Sequence, residues 1–372
     1  MTLRDLLAGA GISASPGGAE VEVSALAYRS ESVTDGTLFF CVPGFTADGH
    51  DFAPDAVKRG AVALVCERPL GLGVPEAIVP SVREAMPRVA AAFYGDPTRE
   101  LRVVGITGTN GKTTTAFLTR HLLESAGMQT GLLGTVESIV GGRRDEVVRT
   151  TPEAVDLQRT FREMLDGGDT ACAIEVSSHA LVLHRADAIA FECAVFTNLT
   201  QDHLDFHGTL EDYFAAKREL FLPASGAGPA AAVLNVDDED GRRLAEEMEH
   251  GGTRPVTFAV ERDADYVATA VRSSANGSTF GCRHAGETLE VEMPLPGLFN
   301  VYNALAAIAA AGSLGVELPR AAAALAHAPS VPAIAAEPCA SKRRGPRVIV
   351  PLAIRRSVKR ASTNIARRTA LV

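Results

Sequence analysis

The sequence predicts an α/β protein with two domains, and two observations support this. After Leu101, four apolar runs of strand length alternate with helical stretches, a pattern that is typical of a mostly parallel sheet. The residues before them have strands and helices of their own and end in the turn cluster Gly95–Thr98. We therefore expect a small mixed α/β domain over residues 1–98 and a central domain of P-loop type over residues 99–328.

The elements of the amino-terminal domain are predicted from their apolar patterning. Leu38–Val42 and Ala61–Cys66 are apolar runs of strand length. Asp55–Gly60 and Val82–Tyr94 have helical patterns, and Pro87 can delay or kink the second helix. Strands and helices in this order indicate a small sheet with helices packed against it.

The central domain starts with the four apolar runs, which are predicted to be buried parallel strands. They are Val103–Thr107, Ala171–Val176, Ala194–Leu199 and Ala231–Val236. Thr114–Ala126 and Pro152–Leu165 are predicted helices. The second is expected to have Thr151 as its N-cap and Pro152 at its first position, where proline needs no hydrogen-bonded N–H.

The last part of the central domain has a different period. Over Val256–Met293 the period changes to two, and at the end of this range apolar and polar residues alternate as in a half-buried strand. Asn276–Gly277 is a strong signal for a hairpin turn. We expect a small antiparallel sheet appended to the parallel one. An alanine-rich helix is predicted over Asn300–Ala311.

Polar residues follow each of the four predicted parallel strands. They are Thr109–Thr113, then Glu175–His179, then Thr197, Asn198, Asp202 and His203, and finally Asn235, Asp237 and Asp238. In open α/β sheets the ligand crevice lies outside the carboxyl ends of the strands. The four loops are therefore expected to converge on one site.

The loop after the first of these strands has the pattern of a phosphate-binding loop. Gly105–Thr115 follows a strand and opens a helix, so main-chain N–H groups and the helix dipole face a phosphate. Lys112 adds a positive charge and Thr113 offers a hydroxyl to Mg²⁺. Ile106 breaks the strict G-x-x-x-x-G-K-[ST] spacing, and a plain glycine-rich turn is the alternative. The strand–loop–helix context favours nucleotide binding.

Candidate metal ligands follow the neighbouring strands. Glu175 and His203 have side chains that could complete a Mg²⁺ shell, although each alone is as well explained as a hydrogen-bonded loop residue. Lys217 has the pattern of a surface lysine on a helix, and its spacing alone does not mark it as functional.

Composition and charge exclude several classes of protein. Ten Lys and Arg and no Asp or Glu fall in residues 342–372, so residues 1–341 hold 26 basic against 45 acidic residues. An acidic body argues against nucleic-acid binding, and a basic tail is more often solvated than a binding site. The longest apolar stretch, Ala304–Ala311, is too short to span a membrane. With no secretory signal and no C-x-x-C pair, we expect a cytoplasmic protein.

Several motifs together resemble the Mur ligases over roughly residues 20–330. The motifs are Thr107–Thr115 (TGTNGKTTT), Glu175–His179 (EVSSH), Phe196–Gly208 (FTNLTQDHLDFHG), Phe299–Asn303 (FNVYN) and the spaced Leu38, Gly44 and Asp48–His50. The resemblance implies an ATP-dependent amide ligase of peptidoglycan precursor synthesis, and hence of cell-wall formation and cell division. It further implies an enzyme that joins a diamino acid, either 2,6-diaminopimelate or lysine, to UDP-N-acetylmuramoyl-L-alanyl-D-glutamate. We expect diaminopimelate to be the one added here, and we expect a monomer.

The resemblance also implies roles for particular residues. ATP is expected to lie on Thr107, Gly108, Thr109, Asn110, Gly111, Lys112 and Thr113, with its adenine near Asn300 and Asn303. Mg²⁺ is expected on Thr113, Glu175, His203 and a carbamylated Lys217, and Lys112, Lys217 and His203 are the expected catalytic residues. The UDP-linked substrate is expected on Ser30, Phe45, Thr46, Ala47, Thr150, Thr151, Ser177 and Arg185. The sequence departs from the family at two places beside these residues. The family's usual Asp-Ser-Arg is Arg29-Ser30-Glu31 here, and a frequent Gln two residues before Arg185 is Leu183.

The chain departs from the family after residue 328. Mur ligases continue into a third domain that selects the amino acid, whereas residues 329–372 are basic and have none of its motifs. We expect a shifted reading frame or a truncated gene, and a chain that binds its substrates but ligates little. The alternatives are another Mur or folylpolyglutamate-type ligase, a P-loop kinase or motor NTPase, and a noncatalytic nucleotide-binding protein with a basic interaction tail.

Overall fold

The computed structural model describes residues 1–14, 16–147, 149–224 and 227–330. These residues form two compact units, Met1–Ala85 and the described chain from Met86 onwards. Each unit has its own sheet, which confirms the predicted α/β class. The domain boundary after residue 98 stays a prediction, and the predicted basic tail lies outside the described residues from position 331.

The amino-terminal unit is built on a parallel sheet of four strands in chain order. The strands are β1 (Ala25–Ala27), β2 (Thr37–Phe40), β3 (Ala61–Cys66) and β4 (Glu76–Ile78). Helices α1 (Leu3–Gly9) and α2 (Ala53–Lys58) belong to this unit, and α3 (Val82–Phe93) follows β4. Helix α2 begins two residues earlier than predicted, because Pro54 occupies its first turn. Pro87 is accommodated within α3.

The larger unit is built on one mixed sheet of eleven strands. The strands are β5 (Arg102–Thr107), β6 (Thr130–Leu133), β7 (Ser138–Val140), β8 (Arg143–Asp145), β9 (Ala171–Glu175), β10 (Phe191–Phe196), β11 (Ala231–Asn235), β12 (Val256–Ala259), β13 (Tyr266–Ser274), β14 (Gly277–His284) and β15 (Glu287–Met293). Their order is β15-β14-β13-β12-β11-β10-β5-β9-β6-β7-β8. In this order, each strand from β13 to β6 pairs in parallel with the next. Strands β14 and β15 pair antiparallel beyond β13, so the predicted antiparallel strands extend the parallel sheet at one end.

Helices cover both faces of this sheet. They are α4 (Lys112–Ser125), α5 (Ala154–Asp166), α6 (Ser178–Val182), α7 (Leu204–His207), α8 (Leu210–Arg218), α9 (Glu239–His250), α10 (Leu298–Ser313) and α11 (Leu318–Leu325). One apolar cluster joins the sheet to α4, α10 and α11, and a second joins it to α5, α8 and α9. The alanine-rich α10 packs closely on α4 because its buried side chains are small.

Two local predictions were wrong. Helix α5 begins at Ala154 with Glu153 at its N-cap, and Thr151 is not the cap, because its hydroxyl instead donates to the main-chain oxygen of Glu175 at 2.9 Å. The hairpin between β13 and β14 has Ala275 and Asn276 in its two-residue loop, one position earlier than predicted, since Ser274 already pairs with Gly277.

The described part of the chain contains no helix that is both long and apolar enough to cross a membrane.

Candidate functional site

The strand order confirms that the predicted loops converge. Strands β9, β5, β10 and β11 are neighbours, so their carboxyl ends share one edge of the sheet. The Thr109 N–H donates to Asn198 O at 2.8 Å, and the Asn110 N–H donates to Asn198 Oδ1 at 3.0 Å. The Thr197 hydroxyl donates to Asn110 O at 2.7 Å, and Asn235 donates to Thr197 O at 2.8 Å. These bonds tie three of the four loops directly to one another.

The glycine-rich loop follows β5 and opens α4, as predicted. Gly111 is the N-cap of α4 with a φ of 86°, and no side chain caps this helix, so the N–H groups of its first turn point at the site. A Cβ at Gly108 would lie 1.9 Å from Thr197 Oγ1, so only glycine allows this approach of loop to strand end. Ile106, which breaks the usual spacing, is buried inside β5.

Two lysine amines meet on the same carbonyl of this loop. Lys112 Nζ donates to Gly108 O at 2.9 Å and to Thr109 O at 2.8 Å. Lys217 Nζ, from α8, donates to Gly108 O at 2.8 Å and is 1% exposed. Lys217 is therefore not the surface lysine that its helical spacing indicates.

Burial lowers the pKa of both amines. Desolvation lowers the pKa of Lys112, and the charge of Glu175 opposes this shift. Desolvation, followed by repulsion from Lys112, lowers the pKa of Lys217 well below its ordinary value, while Asp202 acts in the opposite direction. The Lys217 amine also lies 4.4 Å from the centre of the Tyr213 ring. The fold therefore favours a neutral Lys217 amine beside the loop.

Glu175 is held at the end of β9 by Thr135, a residue that the sequence analysis did not single out. Thr135 donates its N–H to Oε1 at 2.8 Å and its hydroxyl to Oε2 at 3.0 Å, and Glu175 is 1% exposed. The Thr135 hydroxyl also lies 3.2 Å from that of Thr150. A polar residue just after the buried strand β6 was the available signal, but β6 itself was not recognised.

His203 lies among aromatic rings beside the loop. Its ring centre is 5.1 Å from that of His179 and 6.2 Å from that of Tyr213, whose hydroxyl is 3.4 Å from Thr109 Oγ1. His207 contacts Ser178 Oγ through Nε2 at 2.8 Å, and burial lowers the pKa of His207 to about 4. Tyr213 therefore lies between His203 and the glycine-rich loop and contacts both.

The donor set suits a magnesium ion that arrives with a phosphate. Among the residues that the structure describes, no three His, Cys, Asp or Glu form a metal-binding group. Thr113, Glu175 and His203 offer a hydroxyl, a carboxylate and an imidazole at adjoining strand and helix ends. Mg²⁺ usually takes one or two protein carboxylates and fills its shell with water and phosphate oxygens. The residues therefore fit Mg²⁺ together with a nucleotide.

Asn300 and Asn303, predicted near adenine, lie beside the phosphate loop on α10. Asn303 Nδ2 donates to Asn300 Oδ1 at 3.2 Å, and Asn300 Nδ2 donates to Pro296 O at 2.8 Å. A Cβ at Gly111 would lie 2.3 Å from Asn303 Oδ1. The first turn of α4 and the start of α10 therefore meet.

The predicted substrate residues of the larger unit form a second group. The Thr151 hydroxyl lies 3.3 Å from Ser177 Oγ, and Arg185 Nη1 donates to Thr151 O at 3.2 Å. Arg185 also pairs with Glu153, at 2.8 Å from Nη2 to Oε1. The link from Thr151 to Glu175 joins this group to the strand ends.

The predicted substrate residues of the amino-terminal unit occupy two loops. Ser30 is buried, starts a short 3₁₀ turn and forms a side-chain hydrogen bond with Asp55 that lowers the pKa of that carboxyl group. Phe45, Thr46 and Ala47 form a turn closed by a hydrogen bond from the Gly44 N–H to Ala47 O at 2.9 Å, and Phe45 is 38% exposed.

The fold and the site together define an α/β protein with a glycine-rich strand–loop–helix turn of P-loop type. Comparisons with family models identify it further, because residues 106–311 match the Mur ligase middle domain and residues 22–94 match the Mur ligase family, catalytic domain. The chain belongs to the Mur ligase family.

Individual relatives agree with this assignment. The chain is 46% identical over 320 residues to the UDP-N-acetylmuramoyl-L-alanyl-D-glutamate–2,6-diaminopimelate ligase of Geobacillus thermodenitrificans, a match over 85% of this chain and 65% of that protein. The ligase of the same name from Halalkalibacterium halodurans is 45% identical over 80% of this chain and 61% of its own length. The chain therefore spans less than two thirds of these relatives.

Solved structures show the same fold. A structure of a UDP-N-acetylmuramoyl-L-alanyl-D-glutamate–2,6-diaminopimelate ligase superposes with a TM-score of 0.79 at 28% identity, covering 90% of this chain and 68% of that one. The MurF ligase from Thermotoga maritima in complex with ADP superposes with a TM-score of 0.60 at 21% identity, covering 84% and 67%. The second likeness is one of fold alone.

Proposed function

We propose that this chain carries the sugar-nucleotide and ATP sites of a ligase that adds 2,6-diaminopimelate to UDP-N-acetylmuramoyl-L-alanyl-D-glutamate. The observation that carries the proposal is the meeting of two amines, the half-buried Lys112 and the buried Lys217, on the carbonyl of Gly108. The names of the relatives at 45–46% identity support the choice of substrates. Such an enzyme acts in peptidoglycan precursor synthesis, and we expect a cytoplasmic monomer.

The phosphate loop is proposed to bind ATP as a substrate. The N–H groups at the start of α4 and the helix dipole face an anion, and Thr107 to Thr113 form the surrounding loop. Lys112 now satisfies its donors with two main-chain carbonyls of this loop. A triphosphate offers the amine charged oxygen acceptors in their place, which favours its protonated form and opposes the lowering of its pKa by burial. Asn300 and Asn303 are proposed to contact the adenine, and the position of Asn303 beside Gly111 supports this.

The reaction joins an amine to a carboxylate through two displacements. An oxygen of a glutamate carboxylate of the substrate attacks the γ-phosphorus of ATP, the bond to ADP breaks, and an acyl phosphate forms. The amine of the diamino acid attacks the acyl carbon, inorganic phosphate leaves, and the amine releases its proton to solvent or a base. Such chemistry depends on positioning and on charge neutralisation, which Lys112 and the start of α4 supply.

Thr113, Glu175 and His203 are the residues proposed to hold Mg²⁺, which when bound neutralises phosphate charge. Thr135 fixes both carboxylate oxygens of Glu175 at 2.8 and 3.0 Å, so this ligand is in place before the ion binds. Tyr213 and His179 restrict the ring of His203 by packing at 6.2 and 5.1 Å.

Lys217 is proposed to become carbamylated. Its buried amine has a pKa well below the ordinary value, and a neutral amine can attack CO₂ through its lone pair and release a proton as the carbamate forms. The product is an anion beside Lys112, so the charge of Lys112, which disfavours a protonated Lys217 amine, would attract the carbamate. An intact-mass spectrum at high bicarbonate should show the added mass of one CO₂, and Lys217→Met should lack it.

Ligand titration tests the proposed function directly. Isothermal calorimetry would measure binding of a non-hydrolysable ATP analogue with Mg²⁺ and of UDP-N-acetylmuramoyl-L-alanyl-D-glutamate. We expect Lys112→Ala to weaken nucleotide binding by at least about tenfold, because a charge-assisted contact to phosphate is lost, and to leave the dipeptide ligand unaffected. Lys58→Ala, at an exposed lysine of α2, is the control. Failure of the unmodified chain to bind the dipeptide ligand would contradict the proposed function.

A further inference from the structure

Glu153 sits between two arginines next to the predicted substrate residues. Its Oε1 lies 2.8 Å from Arg185 Nη2 and 3.0 Å from Arg149 Nη1. The side chains of Glu153 and Arg185 are 10% and 13% exposed, whereas that of Arg149 is 45% exposed. We propose that Glu153 is a positioning residue, which holds Arg185 in place to bind a carboxylate of the peptide substrate. This inference rests on the proposed function.

The helix start shows that this glutamate is not there as a cap. Glu153 occupies the N-cap of α5, yet its side chain makes no capping hydrogen bond. Ser, Thr, Asp and Asn are the effective residues at this position, because their short side chains reach the N–H groups of the first turn. The longer glutamate side chain turns to the arginines instead. Its length therefore serves Arg185 and not the helix.

Arg185 is fixed from two directions. Nη2 pairs with Glu153, and Nη1 donates to Thr151 O at 3.2 Å. Thr151 in turn donates its hydroxyl to Glu175 O at 2.9 Å. The guanidinium group is thereby held in a fixed orientation beside the strand ends before any ligand binds, which reduces the entropy lost on binding.

The charges leave this cluster ready for an anion. Two guanidinium groups share one carboxylate, so one positive charge is not cancelled. Within the part of the chain that the structure describes, the buried Glu153 Oε2 and Arg185 Nε have no hydrogen-bond partner. The surplus positive charge and the unpaired Nε–H donor of Arg185 favour a further acceptor, whereas the free oxygen of Glu153 needs a donor. The glutamate end of the dipeptide substrate carries carboxylates, whose geometry matches a guanidinium group.

Two substitutions separate the length of Glu153 from its charge. Glu153→Asp keeps the charge, withdraws the carboxylate from Arg185 and restores a good N-cap. Glu153→Gln keeps the length and an oxygen acceptor but removes the charge. The same changes at Glu163 are matched controls, because Glu163 is on α5, is 48% exposed and lies 3.7 Å from its arginine partner.

Calorimetric titration would use the full chain and two ligands. The first is UDP-N-acetylmuramoyl-L-alanyl-D-glutamate, and the second is its analogue with both glutamate carboxylates converted to amides. We expect Glu153→Asp to weaken binding of the first about tenfold and Glu153→Gln about threefold, with the second unchanged, since the guanidinium group loses its aim toward a charged partner. Urea unfolding would show that Glu153→Asp retains the stability of the unmodified chain.

Each other outcome has a definite meaning. Tighter binding by Glu153→Gln would show that Glu153 merely competes with the substrate, and would overturn the inference. Equal weakening for the amide analogue would show a structural role and would also overturn it. If Arg185→Lys binds the first ligand as well as the unmodified chain, the inference fails while the proposed function stands. If the unmodified chain does not bind the first ligand, the proposed function itself fails.

Discussion

The larger unit holds buried or half-buried basic side chains in two places and by different means. On the phosphate-loop side, the amines of Lys112 and Lys217 donate to main-chain carbonyls. On the arginine side, Arg185 is held by the carboxylate of Glu153. A buried lysine can lose its proton, whereas the guanidinium group of arginine keeps its charge at any pH a protein experiences.

This difference explains what each side needs from the fold. On the lysine side, Lys217 can be buried without a contacting acid because its lowered pKa favours the neutral amine, which is the nucleophilic form. The arginine side needs an internal counter-charge, because desolvating an unpaired guanidinium group is costly. The lysine side is therefore suited to a negative charge that arrives with a ligand. The arginine side is suited to binding an anion with a guanidinium group that is already held in place. Four predictions test or sharpen this comparison.

The largest effect is expected on the phosphate-loop side from Gly108→Ala. The new Cβ would lie 1.9 Å from Thr197 Oγ1 and 3.1 Å from the main chain of Asn198. We expect nucleotide binding to fall by about a hundredfold and the free energy of unfolding by about 3 kcal/mol, because the loop must move away from β10. Calorimetry and urea unfolding would measure the two effects.

The matched control is Gly127→Ala. Gly127 also has a positive φ, of 86°, but no heavy atom lies within 4 Å of its added Cβ. It should cost only about 1 kcal/mol of stability, from backbone strain alone, and leave nucleotide binding unchanged. Equal effects of both substitutions would show that strain, and not the approach of loop to strand, decides the result.

A second effect comes from Thr135→Val, which removes one of the two hydrogen bonds that hold Glu175. The carboxylate stays buried with one donor fewer. We expect the free energy of unfolding to fall by about 1–2 kcal/mol, because a buried charged acceptor is left partly unsatisfied. Urea unfolding measures this, and Thr253→Val, at an exposed threonine, should change little. An unchanged stability would mean that water replaces the hydroxyl.

A third effect concerns the pH dependence of stability. The pKa of Lys217 is lower in the folded than in the unfolded protein, so the unfolded state binds more protons between the folded pKa and 10.5. Stability contributed by this group therefore rises with pH through that window and is constant below it. The unfolding free energy of the unmodified chain minus that of Lys217→Met should increase from pH 7 to pH 10.

Taking this difference cancels the opposite contribution of the buried cysteines, whose thiol pKa values are raised by burial. Lys58→Met, at an exposed lysine, is the control and should give a difference that does not vary with pH. A flat profile for Lys217→Met would show that the amine keeps its charge when folded.

The smallest effect is expected from Arg149→Ala on the arginine side. The Arg149 side chain is 45% exposed in its ion pair with Glu153. Exposed ion pairs contribute about 0.2–1 kcal/mol to the free energy of unfolding. Loss of this charge leaves Glu153 to cancel that of Arg185, so we expect the dipeptide ligand to bind about threefold more weakly. Calorimetry on Arg149→Ala, beside Arg144→Ala as an exposed control, would measure the change.

Much of the site was predictable because it depends on short stretches of chain. The loop from Gly108 to Lys112 lies between a strand and a helix whose patterns are strong, so both its location and its anion-binding chemistry follow from local sequence. The convergence of the strand ends follows from the topology of parallel sheets. Thr151 was wrongly assigned as the N-cap of α5. A threonine before a helix has the same local sequence whether its hydroxyl caps that helix or donates to another loop, as it does here to Glu175 O.

The sequence by itself determined the α/β class, the phosphate loop and the candidate ligands, because periodicity and glycine spacing are local properties. Only the tertiary structure decided that Lys217 is buried on Gly108, that Thr135 holds Glu175, and that Glu153 serves Arg185 rather than its helix. These contacts join residues brought together by strand order and packing. Burial and protonation depend on such neighbours, and no window along the chain contains them.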